Sequence, residues 1–180
     1  MTNIYGDCLR DGAGDFEEIY EDVFPILYRV AYRITGEVTS AEDLCQEAFV
    51  RYVQRQKPLP TPEEAKYWLI RVVRNLSYNY EKRRGRERKA LDRLLHEPRP
   101  QSPSGETETL RDESSRIVQE ALKLLPFNLR TALVFREYGG LSYREIAKVL
   151  HISEANVKVR VFRAREQLKK ILDEDDLDVP

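Results

Sequence analysis

Three groups of side chains have types and spacings that could do chemistry. Glu42, Asp43, Gln46 and Glu47 recur at three- to four-residue intervals, which on a helix is one face. Two carboxylates so placed could hold a metal or serve as acid and base. The two histidines, His96 and His151, stand singly, and no matching carboxylate pair or glycine-rich phosphate loop stands elsewhere to complete such a site, so no catalytic residue, metal ligand or cofactor is expected. An acidic face for a basic protein partner fits better, with a solvated helix surface as the plain alternative.

The second group is basic and aromatic. Tyr67, Arg71, Arg74, Asn75, Tyr78 and Lys82 share one helical stripe, followed by Arg83, Arg84, Arg86, Arg88 and Lys89. Ring faces stack on unstacked bases and cations neutralise phosphates, so the combination suits single-stranded nucleic acid; a solvated basic helix with half-buried tyrosines is the alternative. The third group lies on residues 153–172. There Val157, Val161, Ala164 and Leu168 form an apolar seam that leaves Glu154, Asn156, Lys158, Arg160, Phe162 and Arg163 outward. Outward residues near the start of such a helix reach base edges in the major groove, where arginine and lysine read guanine and asparagine reads adenine. Phe162 would touch a thymine methyl or pack partly against a neighbouring helix.

The elements that must position these groups are helical throughout. Phe16, Ile19, Val23, Leu27, Val30 and Ile34 keep a helical spacing, with Pro25 expected to start a new helix or kink the old one. Ser40, three residues before Asp43, resembles a capping box opening a helix to about Gln54, with Leu44, Ala48 and Phe49 facing the core. Thr61 is the expected cap of a third helix, Pro62 its first residue, and Ala65, Leu69, Val72, Leu76 and Tyr80 its core stripe. Pro98, Pro100 and Pro103 with Ser102, Ser104 and Gly105 make 97–106 a linker. Four short helices follow, over 114–125 (Ile117, Val118, Ala121, Leu122 and Leu125 inward), 127–138, 142–150 and 153–172. Gly139-Gly140 ends the second of these, and Ser142 with Glu145 and then Ser153 cap the last two. A capped short helix, a tight turn and a basic helix make a helix-turn-helix. The fold expected is therefore all-α: two small helical domains, an N-terminal bundle and a C-terminal four-helix helix-turn-helix domain, joined by a flexible linker.

Composition sets the outer bounds. The 180 residues carry 30 Lys and Arg against 31 Asp and Glu. The balance conceals segregation: residues 1–50 hold 3 basic and 11 acidic residues, and 51–100 hold 14 and 6. Such asymmetry gives different faces different partners, one of them polyanionic. No segment is apolar enough to insert in a membrane and the first ten residues do not look like a signal peptide, so a cytoplasmic protein is expected. Cys8 and Cys45, without metal-ligand spacing, are expected to be idle thiols.

Taken together, the runs Ser40-Ala-Glu-Asp-Leu-Cys-Gln-Glu-Ala-Phe49, Tyr67-Trp-Leu-Ile-Arg-Val-Val-Arg-Asn75, Leu124-Leu-Pro126, Gly140-Leu-Ser-Tyr-Arg-Glu-Ile-Ala147 and Val157-Lys-Val-Arg-Val-Phe-Arg-Ala-Arg-Glu166 resemble a bacterial extracytoplasmic-function (ECF) sigma factor of the sigma-70 family, over about residues 15–172. The resemblance implies a region 2-like domain at 1–90, a linker at 91–112 running toward the RNA exit path, and a region 4-like domain at 113–180. It implies a factor that binds core RNA polymerase and directs promoter-specific initiation, commonly under an anti-sigma factor. Asp43, Gln46 and Glu47 would dock on the clamp helices of the largest polymerase subunit. Trp68, Arg71, Arg74, Asn75, Tyr78, Lys82, Arg83 and Arg84 would face the minus-ten element, with the 57–62 loop receiving a flipped base. Asn156, Lys158, Val159, Arg160, Phe162 and Arg163 would read the minus-thirty-five element.

Two positions depart from the family pattern. Asn79 and Lys82 stand where an Asp and an Arg are usual, so a local ion pair is missing, and Val159 stands where a small polar residue is common. Two other classes compete. An autonomous helix-turn-helix regulator would bind a palindromic duplex without polymerase. A metal-dependent nucleic-acid enzyme would use Glu42, Asp43 and Glu47.

Overall fold

In the computed structural model, residues 13–57, 59–95 and 110–175 are described. Among them the chain forms seven helices and no strand: α1 (Ala13–Thr35), α2 (Val38–Val53), α3 (Pro62–Leu95), α4 (Leu110–Leu124), α5 (Phe127–Glu137), α6 (Tyr143–Leu150) and α7 (Glu154–Asp175). The 97–106 segment, Cys8, Pro58 of the 57–62 loop and the tail beyond Asp175 lie outside the described residues. The 91–112 segment shares its first residues with α3 and its last with α4.

α1 buries Ile19, Val23, Leu27, Val30 and Ile34. Pro25 neither ends it nor starts another helix. A proline inside a helix costs about 3 kcal/mol. The stripe continues on both sides of it, however, and each fully buried aliphatic side chain returns about 1.5–3 kcal/mol. The Arg29 Nε also donates to the Pro25 carbonyl at 3.2 Å.

α2 is capped three residues earlier than the Ser40 pattern predicts. Its N-cap is Glu37, in extended conformation and without a side-chain cap. The Ala41 N–H already donates to the Glu37 carbonyl, which puts Ser40 inside the first turn, where its hydroxyl donates to Glu37 Oε2 at 2.9 Å. Ala41, Cys45, Ala48 and Phe49 are buried, whereas Leu44 is only half-buried.

α3 starts as expected, with the Glu64 N–H donating to Thr61 Oγ1 at 3.2 Å and Pro62 in the first helical position. Its buried seam is rotated from the predicted one. Ala65, Leu69, Ile70, Val73 and Ser77 are inside, with Val72, Leu76 and Tyr80 at its margin. The rotation arises because α3 has neighbours on two sides, α1 and α2 on one and α6 on the other.

In the second half, α4 buries Ala121, Leu122 and neighbouring Leu125, but Ile117 is exposed, against expectation. α5 stops at Gly139-Gly140: the Tyr138 and Gly139 amides both donate to the Val134 carbonyl, the Leu141 amide donates to Phe135, and Gly140 takes φ +66°. Ser142 and Glu145 form a reciprocal capping box on α6. His151, left-handed at φ 53°, turns the chain, and Ser153 Oγ accepts from the Asn156 amide at 3.2 Å. Val157, Val161 and Ala164 are buried with Leu168 at the edge, the predicted seam.

The two halves touch. α1 packs on α4 and α5, and α3 packs on α6, so the apolar core runs continuously from Ile19 to Ala164. Gly36, φ +74°, closes α1 directly beneath the Lys123 stem.

Candidate nucleic-acid interface

Asp43, Gln46 and Glu47 stand exposed on the outer face of α2. Glu47 pairs with Arg51 one turn on at 2.7 Å, a surface pair of small energetic weight. Behind them Cys45 is fully buried, and burial, with Glu42 adding to it, pushes its thiol up to about 12. At neutral pH it is an inert core residue. Among the described residues no group of three His, Cys, Asp or Glu could hold a metal ion.

The promoter-facing residues expected on α3 divide into two stripes. Asn75 and Lys82 are exposed, and Trp68 is half-buried beneath the Arg55 guanidinium, 4.6 Å from its ring centroid, with the Tyr52 ring at 6.2 Å. Arg83 pairs loosely with Glu87 at 3.6 Å. Arg84 pairs with Glu37, which also accepts from Tyr80 at 2.5 Å. Burial opposes its ionisation, but hydrogen bonds from Tyr80 and Ser40 and the charge of Arg84 prevail and hold the Glu37 carboxyl below its ordinary value.

The other stripe meets the second half of the chain. Tyr67, expected on the open face, is 7% exposed; its hydroxyl lies 2.5 Å from Glu63 Oε1 and 2.7 Å from Glu145 Oε1. Arg71 donates to the carbonyls of Val149 and Lys148, both at 3.1 Å, at the C-terminus of α6, where a cation is favoured. Arg74 lies 5.5 Å from the Phe127 ring centroid and Tyr78 meets the same ring edge-on at 5.1 Å. Glu81 pairs with Arg130 at 2.5 Å, and that arginine is 4% exposed. A second joint lies between α1 and α4, where Arg33 donates to Gln119 and Ser115, both at 3.3 Å. Its guanidinium also sits 4.5 Å from the Tyr138 ring centroid.

The seam carries an electrostatic cost. Arg74 Nε is buried without a hydrogen-bond partner, and burial, then the charge of Arg160, lower that arginine's pKa. Burial raises Glu81 above its ordinary value despite Arg130 beside it.

On α7, Asn156, Lys158, Val159, Phe162 and Arg163 are exposed and Arg160 is half-buried. Asn156 Oδ1 accepts from Arg160 Nε at 3.1 Å, and Lys158 pairs with Glu154 at 3.0 Å. Phe162 is 64% exposed, which favours a ring free to meet a base over one packed on a neighbouring helix. Glu37, Glu81, Arg130, Glu145 and Arg33 were not among the residues expected at an interface. Glu145 signals itself in the sequence as a cap and nothing more, and the other four read as ordinary helix-surface charges.

The family description "Sigma-70 region 2" matches residues 19–87, and "Sigma-70, region 4" matches 115–168. The chain is 34% identical to the RNA polymerase sigma-H factor of Pseudomonas aeruginosa over 73% of its own length and 72% of that protein's. It is 32% identical to the ECF RNA polymerase sigma factor SigM of Bacillus subtilis, over 86% and 93%. Among solved structures it is similar to the sigma factor RpoE of Bartonella quintana, crystallised with the anti-sigma factor NepR, with TM-score 0.65 and 26% identity over 88% of this chain and 97% of that one. It is also similar to the ECF sigma factor SigJ of Mycobacterium tuberculosis, with TM-score 0.53 and 26% identity over 87% and 52%. A basic, aromatic α3, an acidic α2 face and a capped helix-turn-helix thus stand in the order of regions 2 and 4, and the chain belongs to the ECF sigma factors of the sigma-70 family.

Proposed function

We propose that the chain directs promoter-specific transcription initiation by binding alone, with no catalytic chemistry of its own, in the cytoplasm. The region 2 unit, residues 1–90, docks on the polymerase clamp helices through Asp43, Gln46 and Glu47. It meets the minus-ten strand with Trp68, Arg71, Arg74, Asn75, Tyr78, Lys82, Arg83 and Arg84. The region 4 unit, residues 113–180, reads the minus-thirty-five duplex with Asn156, Lys158, Val159, Arg160, Phe162 and Arg163, and residues 91–112 join the two. The observation that supports this most is the exposed outer surface of α7 beyond its capped turn, with Phe162 open to solvent beside Lys158 and Arg163. An anti-sigma factor is the expected regulator, since the similar RpoE structure holds one.

The test is reconstitution with core polymerase on genomic promoter fragments. Start-site-specific transcripts are expected, and their absence on every fragment sinks the reading. The double variant Asp43→Asn with Glu47→Gln should lose core binding while still binding the minus-thirty-five duplex.

A further inference from the structure

Trp68 continues a run of rings that starts in the core between α1 and α2. Phe49 meets Phe16 edge-on at 6.1 Å, Phe16 stacks on Tyr52 at 6.4 Å, and Tyr52 lies tilted against Trp68 at 6.2 Å. Arg55, two residues past the end of α2, follows them, with its guanidinium carbon 4.6 Å from the Trp68 ring centroid. Its Nε donates to the Lys57 carbonyl at 3.2 Å, which fixes the side chain at the entrance to the 57–62 loop. Among the described residues neither Nη atom of Arg55 has a hydrogen-bond partner, and no carboxylate pairs with the cation. A half-buried planar cation, held at one edge and backed by an indole, thus keeps its outer fork of N–H donors open.

We propose that Arg55 is a strand-binding residue: a base of single-stranded DNA stacks on its guanidinium face, the Nη fork takes the phosphate beside that base, and Trp68 beneath is a positioning residue. This rests on the assignment of Trp68 to the minus-ten strand and adds to it a residue outside the groups that composition and spacing single out. The guanidinium lies over the Trp68 ring, so a base approaching that face meets Arg55 first. Arginine planes stack on bases as aromatic rings do, and the charge adds attraction for the backbone. The two anchors make the plane ready before the strand arrives. The indole fixes its tilt and the Lys57 carbonyl fixes its edge, so little side-chain freedom is lost on binding. A lysine at this position would keep the charge and lose both the plane and the fork.

The full-length chain is compared with Arg55→Lys and Arg55→Ala by fluorescence anisotropy on two labelled probes, an oligothymidylate and a fully abasic strand of the same length. Wild type is expected to prefer the oligothymidylate. Arg55→Lys should lose at least about fivefold in affinity for it and bind the abasic strand as wild type does. Arg55→Ala, which also removes the charge, should weaken on both probes and show a smaller slope of log affinity against log salt. Equal losses by Arg55→Lys on the two probes would make Arg55 a phosphate contact or a merely structural residue, and no loss on either would take it off the strand; each result overturns the stacking. A wild-type chain that does not distinguish the probes overturns it too. The promoter assay above judges the sigma assignment by itself: specific initiation by wild type, with Arg55→Lys indistinguishable from it on both probes, keeps that assignment and ends this one.

Discussion

The Tyr67 hydroxyl lies 2.7 Å from Glu145 Oε1, seventy-eight residues away, and so ties α3 to the carboxylate that caps α6. Glu145 Oε2 accepts the Ser142 amide at 2.6 Å. One carboxylate thus fixes the start of the helix-turn-helix and its position against the first half of the molecule.

This makes stability acid-sensitive in a defined window. Hydrogen bonding from Ser142, helped by the Tyr67 hydroxyl and the charge of Lys66 and opposed by burial, holds Glu145 at about 2 against an ordinary 4.5. A lowered native value means that the unfolded chain takes up the proton first as pH falls. The stabilising contribution is therefore complete above 4.5 and is lost on the way down to about 2. Thermal melts across that range should show a steeper decline for wild type than for Glu145→Gln; equal slopes would show that this carboxylate does not carry the effect.

The two serines that resemble caps should respond differently. Ser142→Ala removes an acceptor for the Glu145 amide and should cost about 1 kcal/mol in urea unfolding. Ser40→Ala removes a hydroxyl within the first turn of α2 and should stay within about 0.5 kcal/mol. Equal losses would place the start of α2 at Ser40 after all.

On the recognition helix, Arg163→Ala should weaken binding to a minus-thirty-five duplex and reduce the slope of log affinity against log salt by about 1 if it neutralises one phosphate. Phe162→Ala, at a ring 64% exposed, should leave the melting temperature nearly unchanged yet weaken the duplex complex at every salt concentration, as a ring in contact with a base requires. Unchanged affinity for both would remove α7 from the interface. Gel shifts between about 50 and 200 mM salt distinguish these outcomes.

Local signals were legible where one helix face met one environment. The α7 seam of Val157, Val161 and Ala164, the Thr61 cap and the Ser142–Glu145 box all depend on residues within a turn of each other. Of the two expectations for Pro25, a new helix fails, because a breaker rule weighs one lost hydrogen bond and ignores the burial of Val23 and Leu27 on either side. Tyr67 misled because it has the composition of an open face while its partner Glu145 belongs to another domain. The Glu81–Arg130 pair joins helices 49 positions apart, and no periodicity within either helix announces it. Candidate site residues could be proposed from their types, but which of them lie against the protein's own chain could not.

Gly36 lets the end of α1 come close to α4. It holds a left-handed turn that a side chain enters only with strain, and a β-carbon there would overlap the Lys123 stem and crowd Gln119. Gln119 in turn donates to the Arg33 carbonyl at 3.3 Å. At this point the lysine stem lies over the turn because Gly36 has no β-carbon, and a side chain there would have to push the lysine end aside. A substitution at Gly36 would thus strain the α1–α2 turn and displace the Lys123 side chain, disturbing the joint between α1 and α4 without touching the α3 stripe.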